Sequence, residues 1–212
     1  MQGEIAVLTG DIVRSRALPE GGLDRAFAAL GRAAECIAEW QGASARLTRF
    51  RGDGWQMIVT DVRFVLRATL MIRAALRSVG KGLSTRIAVG VGAQGHIPDA
   101  DLSSAEGDAF VISGASLDAL PSRKRIAPGN APAVVAMGLL LSAALADGWT
   151  ETQAAVALLA LSAPEKSQAE MARQTGTTQQ NVQKLLEAAA FEPLQSALEV
   201  LEDQSAEFEH VS

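Results

Sequence analysis

Asp11, in the run LTGDIV, and Asp53, in RGDGWQ, are the residues whose type and setting best suit chemistry. Alone, each is ordinary, because an aspartate often stops a strand and Gly-Asp-Gly often makes a hairpin turn. Brought to one sheet edge, two carboxylates repel unless a cation stands between them. A hard divalent ion, Mg²⁺ or Mn²⁺, takes oxygen ligands and is readily completed by substrate phosphates. The neighbouring residues suit those phosphates. Gly10, Gly52 and Gly54 permit close approach to the backbone, and main-chain N–H groups from Val13 onward could cradle an anion beside Arg14, Ser15 and Arg16. The expected metal ligands are therefore Asp11 and Asp53. The expected nucleotide-binding set is Gly10, Val13, Arg14, Ser15, Arg16, Gly52 and Gly54, with a purine nucleotide as the expected small ligand.

The elements that must bring Asp11 and Asp53 together are legible in the hydrophobic pattern. EIAVLTG (4–10) is a short apolar run stopped by glycine, which predicts a buried strand. LDRAFAALGRAAECIAEW (23–40) repeats apolar residues at three and four, an amphipathic helix. SARLTRF (44–50) and WQMIVT (55–60) alternate polar and apolar around an Asp-Gly turn and predict a β-hairpin. RFVLRATLMIRAALRSV (63–79) predicts a second amphipathic helix with Arg63, Arg67, Arg73 and Arg77 on its solvent side. STRIAVGVGAQG (84–95) predicts a β-branched strand, GDAFVISGASLDAL (107–120) a helix, and 122–132 a short strand or linker. The order βαββαβ is the split βαβ arrangement of ferredoxin-like and palm domains. In it the first strand lies beside the third, so Asp11 and Asp53 meet. The expected fold class is α+β: a ferredoxin-like palm domain over 1–130, then an all-α domain over 131–212.

The all-α part reads as a first helix (133–146), then a second opened by Thr150 with Gln153 three residues on, a capping box. SQAEMARQ, a Thr-Gly-Thr turn at 175–177 and TQQNVQKLLEAAAF follow. Two short helices across a Gly-bearing turn, behind a supporting helix, predict a helix-turn-helix over about 166–190. Ala169, Met171, Ala172, Val182, Leu185 and Leu186 would form its core. Thr177, Thr178, Gln179, Gln180, Asn181, Gln183 and Lys184 would face outward, with Gln and Asn suited to adenine edges and Thr to phosphates or thymine methyls. DNA is the expected macromolecular partner; with so few cations to neutralise phosphate, a homodimer or help from the arginine-rich palm domain is needed, and the alternative is a helical dimerisation or protein-docking module.

Bulk properties bound the function. Hydrophobic residues make up 48% and charged residues 20% of 212, a globular composition. Net charge is −5 but unevenly placed: residues 1–130 hold 16 Lys/Arg against 13 Asp/Glu, residues 131–212 hold 3 against 11. The tail acids, from Glu192 to Glu209, predict a solvated acidic helix and a frayed end. Cys36 is the one cysteine, sits in an apolar helical pattern and predicts a buried thiol in a reducing, cytoplasmic setting. The chain opens without a secretory signal. The uncharged stretch 126–146 is broken by Pro128, Gly129, Asn130 and Pro132, too short a remainder to span a bilayer, and predicts a core or dimer-interface helix. His96 and His210 have no ligand-spaced partners. Trp40, Trp55 and Trp149 predict core or rim packing.

Residues 5–60 resemble the catalytic palm of class III nucleotidyl cyclases and their GGDEF relatives. LTGDIVRSR, GDGWQ, RIAVGVG and GDAF, in that order, resemble the motifs of the SatD-like family, which also carries a C-terminal helix-turn-helix. The resemblance implies metal ligation by Asp11 and Asp53, with Ile12 adding a backbone carbonyl. It departs on the helix after the last core strand. Val111 and Ala115 stand near the cyclase Asn and Arg positions, and Gly114 where SatD-like relatives carry an Arg. Preorganised positive charge is usually the largest catalytic term in phosphoryl transfer, so cyclisation is not expected. The expected function is a nucleotide- or metal-responsive, DNA-binding regulator. Two alternatives remain: a Mg²⁺-dependent enzyme acting on a nucleoside triphosphate, and a degenerate palm serving as a dimerisation scaffold.

Overall fold

The computed structural model describes residues 4–203 apart from 51, 94, 99, 100 and 164, so His210, Glu207 and Glu209 lie outside the described residues. Five strands form one sheet in the order β2-β3-β1-β4-β5. β1 (Glu4–Ile12) is central, antiparallel to β3 (Gly54–Val59) on one side and to β4 (Thr85–Ala93) on the other. β2 (Thr48–Phe50) completes the hairpin with β3, and two-residue β5 (Ile126–Ala127) adds parallel to β4. The first and third strands are neighbours, as the βαββαβ pattern predicts.

Alternation along β1 divides the layers. Ala6 and Leu8 face α1 (Gly22–Gln41) and α2 (Val65–Ser78), while Ile5 and Val7 face α3 (Asp108–Ala119) with Ile58, Ala109 and Phe110. Gly90 lets α3 lie directly on β4, since a Cβ there would meet the Ala109 carbonyl and the Ser113 N–H. Thr9 and Ser113 hydroxyls, 2.7 Å apart, lock the contact.

Behind α2 stand α4 (Ala133–Asp147) and α5 (Glu151–Ser162), followed by α6 (Gln168–Thr175), α7 (Gln179–Ala188) and α8 (Phe191–Glu202). These helices continue the core of α1 and α2: Leu139, Trp149, Val156, Leu161, Val182 and Leu198 are all buried in it. α5 carries the capping box of Thr150 and Gln153, and α6 a second one from Ser167 and Glu170. α7 packs on α5 and α6 across the left-handed Gly176. Within this group Met171, Ala172 and Val182 are buried, whereas Ala169, Leu185 and Leu186 are half-buried.

Covering α2 from behind corrects one expectation. Every residue from Val65 to Leu76 is buried, including Arg67 and Arg73, which were expected in solvent. Arg67 donates Nε and Nη2 to the two Glu202 carboxylate oxygens at 2.7 Å each, and Nη1 to the Leu161 carbonyl at 3.0 Å. Arg73 pairs with Asp147 at the end of α4. Glu202 is thus a half-buried partner of α2, not part of a solvated acidic face. α4 is buried through Val135, Leu139, Ser142, Ala143 and Ala146, and exposes Met137, Leu140, Leu141 and Leu145 on its outer side. No helix among the described residues is long and apolar enough to cross a membrane. Trp55 and Trp149 are buried and Trp40 half-buried; burial pushes the Cys36 thiol pKa up.

Candidate functional site

One edge of the sheet collects four chain segments. The end of β1 supplies Asp11 to Arg16, the β2–β3 turn supplies Asp53, the start of β4 supplies Arg86, and the approach to β5 supplies Ser122, Arg123 and Arg125. The topology explains the meeting. β1 ends where antiparallel β3 and β4 begin, and β5, parallel to β4, begins at the same edge. Together these segments line a cleft of about 740 Å³.

Hydrogen bonds fix the floor. Ile12 N–H donates to the Asp53 carbonyl at 3.1 Å, tying the end of β1 to the hairpin turn. Buried Trp55 donates Nε1–H to Thr85 Oγ1 at 3.0 Å, and Thr85 Oγ1 donates to the Asp11 carbonyl at 2.6 Å. That chain runs across three strands and holds the backbone of Asp11. Gly10 makes room for it, since a Cβ there would meet the Trp55 ring and the Arg86 carbonyl.

The carboxylates are engaged differently. Arg86, in register opposite Asp11, donates Nε to Asp11 Oδ1 at 3.0 Å and Nη2 to Oδ2. The hydrogen bond to Asp11 raises the Arg86 pKa. Ser15 Oγ donates to Asp53 Oδ2, leaving Oδ1 without a hydrogen bond among the described residues. Arg14, which sits in the left-handed region at φ 53°, Arg16 and Arg123 make no ion pair or side-chain hydrogen bond among the described residues.

Of the expected set, Asp11, Ile12, Val13, Arg14, Ser15, Arg16 and Asp53 line one cleft. Gly10, Gly52 and Gly54 do not. Gly10 and Gly54 are buried in the strands and Gly52 forms the exposed hairpin turn, so their roles lie in backbone geometry and packing. Arg86, Ser122, Arg123 and Arg125 were missed. Arg86 is legible in the sequence, because βαββαβ pairing sets the start of β4 against the end of β1; the segment 122–132 reads as a short strand or linker, with nothing in it that places Arg123 and Arg125 at a site. Val111, Gly114 and Ala115 lie on the outer side of α3, with Val111 70% exposed.

The donor set suits a divalent ion in one particular way. Among the described residues no cluster of three or more His, Cys, Asp or Glu side chains could hold a metal unaided. Two carboxylates at one cleft, with Asp53 Oδ1 open, fit an ion whose remaining ligands are phosphate oxygens and water. Asp11 and Asp53 would hold it, and it would neutralise the phosphate charge between them.

No family model and no curated protein matches the chain. The likeness that exists is structural. A solved catalytic core of a rhodopsin-guanylyl cyclase with converted specificity, in complex with ATPαS, is similar over 54% of this chain and 71% of that one. Its TM-score is 0.40 and its sequence identity 16%. At that distance the likeness carries no functional weight.

The residues expected to read DNA occupy the start of α7. Gln179, Gln180, Asn181, Gln183 and Lys184 are exposed, and Thr178 caps the helix by accepting from the Asn181 N–H. Two of them are engaged locally, one with the residue before the cap and one along the helix. Asn181 Nδ2 donates to half-buried Thr177 at 2.8 Å, and Gln183 Nε2 donates to Glu187 at 2.9 Å.

Proposed function

We propose that the protein binds a nucleotide through its phosphate groups at the Asp11–Asp53 cleft, with Mg²⁺ or Mn²⁺ arriving as part of the complex. One observation carries the reading. On a chain of net charge −5, Arg14, Arg16, Arg86, Arg123 and Arg125 converge on a cleft that holds two carboxylates among the described residues. Gathering that many like charges at one sheet edge is unfavourable without an anion to share; Arg14, Arg16 and Arg123 are exposed there, and forked guanidinium groups match phosphate oxygens. Arg86 holds Asp11 in place, Ser15 orients Asp53, and the unpaired arginines supply the phosphate contacts.

The biological role that fits is nucleotide-responsive regulation. Its output would run through α7, whose exposed Gln180 and Lys184 face away from the core. The test is a thermal-shift screen of purine nucleoside mono-, di- and triphosphates with and without Mg²⁺ or Mn²⁺. Stabilisation is expected with nucleotide and metal together, and Asp53→Asn should abolish the metal-dependent share while leaving the apo transition unchanged. Full metal-dependent stabilisation in both Asp11→Asn and Asp53→Asn would sink the reading.

A further inference from the structure

A second cleft of about 400 Å³ adjoins the first. Val13, Arg14, Arg123 and Arg125 line both, so the two share a wall of three arginines. The second adds Arg77 from the last turn of α2 and Lys81 from the loop before β4. Its one carboxylate, Asp147, is already paired with Arg73. Among the described residues the first cleft therefore offers two carboxylates, one of them with an open oxygen on Asp53, and the second offers a single carboxylate, Asp147, that shares one oxygen with Arg73.

Their chemistry differs accordingly. Phosphate in the first cleft can come with a divalent ion; phosphate in the second is met by guanidinium and ammonium groups alone. Arg77 is preset for this, since Nη1 donates to the Lys81 carbonyl at 2.6 Å and Nη2 to the Asp147 carbonyl at 3.4 Å, bracing the loop. Arg14 stands at the junction, lining both clefts. Among the described residues no aromatic side chain lines either cleft. Single-stranded nucleic acid is generally held on aromatic stacking platforms, so a phosphate-rich small molecule fits better than a polynucleotide.

We infer that the ligand of this site carries phosphate groups at two separate positions, one set bound with metal at Asp11 and Asp53, the other bound by Arg77 and Lys81. The inference rests on the phosphate-binding reading above and specifies its ligand class. A nucleotide phosphorylated at both ends of its ribose has that form.

The experiment compares ligands whose phosphates are arranged differently. Isothermal titrations of the full chain in Mg²⁺ use ADP and ATP, whose phosphates form one chain, and adenosine 3′,5′-bisphosphate, whose phosphates stand apart; guanosine counterparts run alongside. The bisphosphate should bind at least about tenfold tighter than either, as expected when two sites are engaged by one molecule. In Lys81→Gln that advantage should shrink to within about threefold while ADP affinity stays within about twofold. Lys81 is exposed and its side chain makes no hydrogen bond among the described residues, so this variant leaves the fold alone. Arg77→Gln should act in the same direction.

ADP or ATP binding as tightly as the bisphosphate overturns the two-position ligand and leaves the nucleotide reading standing. So does an advantage that survives both variants, or a single-stranded hexanucleotide binding more tightly than the bisphosphate. Binding of none of these ligands overturns both.

Discussion

Asp11 on β1 and Arg86 on β4 stand directly opposite each other in the antiparallel pair, and the guanidinium engages both carboxylate oxygens. Each side chain is 24% exposed, so the pair sits where screening is incomplete but water is at hand. It neutralises one of the two carboxylates described at the cleft. A divalent ion bound as proposed would have to share Asp11 with Arg86, and phosphate oxygens would complete its coordination.

Removing Arg86 should therefore move metal and phosphate in opposite directions. In Arg86→Ala, Asp11 and Asp53 lose the cation nearest Asp11, and Mn²⁺ alone should bind roughly tenfold tighter, about 1.4 kcal/mol. Nucleotide phosphate affinity should fall in the same variant. Mn²⁺ titration followed by electron paramagnetic resonance, beside nucleotide calorimetry, reads both; unchanged Mn²⁺ affinity would contradict the assignment of Asp11 to the metal.

Arg73 offers a test of the packing behind α2. Its side chain is 7% exposed, its Nε and Nη1 are buried without hydrogen-bond partners among the described residues, and burial lowers its pKa. Asp147→Ala should destabilise the fold by about 2 kcal/mol, less than a fully buried pair loses because Asp147 is half-exposed. Adding Arg73→Met should restore part of that stability, since an apolar chain of similar length removes the uncompensated charge. Urea unfolding of the single and double variants measures the difference.

Asp61 and Arg63 give a pH dependence of known sign. The Arg63 side-chain hydrogen bond holds the Asp61 carboxyl below its ordinary value of 3.8. The lowered folded-state pKa means the stabilisation is complete above the unfolded value and is lost as pH falls through the folded one. Asp61→Asn keeps a cap acceptor for the Arg63 N–H but no charge, and should cost at most about 1 kcal/mol at neutral pH. Stability curves of the two proteins should converge as pH drops below about 4.

Gly90 tests the seating of α3. Because a Cβ would strike the Ala109 carbonyl and the Ser113 N–H, Gly90→Ala should cost about 3 kcal/mol or prevent soluble expression. Gly114→Ala, with nothing within 4 Å of its added Cβ, should be neutral or stabilising in the same helix. Melting temperatures of the pair provide the comparison.

For α7, the expected reading of DNA separates residues by role. Gln180→Ala should cost roughly 1–3 kcal/mol on a selected duplex and relax preference at one base pair. Lys184→Ala should weaken all duplexes alike and shallow the salt dependence by about one unit. Fluorescence anisotropy across a salt series distinguishes them, and a random pool that enriches no sequence would remove DNA from the proposal.

Local pattern was enough for much of this molecule. The periods of EIAVLTG, LDRAFAALGRAAECIAEW and WQMIVT, the Asp-Gly turn and the Thr150–Gln153 box each act within a few residues, so elements and their order could be read directly. Element order in turn places β1 beside β3, and hence Asp11 near Asp53, because few topologies satisfy a βαββαβ chain. Tertiary structure decided the rest. Arg67 and Arg73 read as solvent-facing on α2 because periodicity sees only one helix; their burial depends on α4, α5 and α8 closing over it, with Glu202 and Asp147 supplied from 135 and 74 residues away. The segment 122–132 reads as a short strand or linker, because a two-residue strand has no period to detect; only the pairing of β5 with β4 carries Arg123 and Arg125 to the cleft. Charge composition is a local count, but a binding site is made by charges converging from distant segments, and only the folded sheet edge sets that convergence.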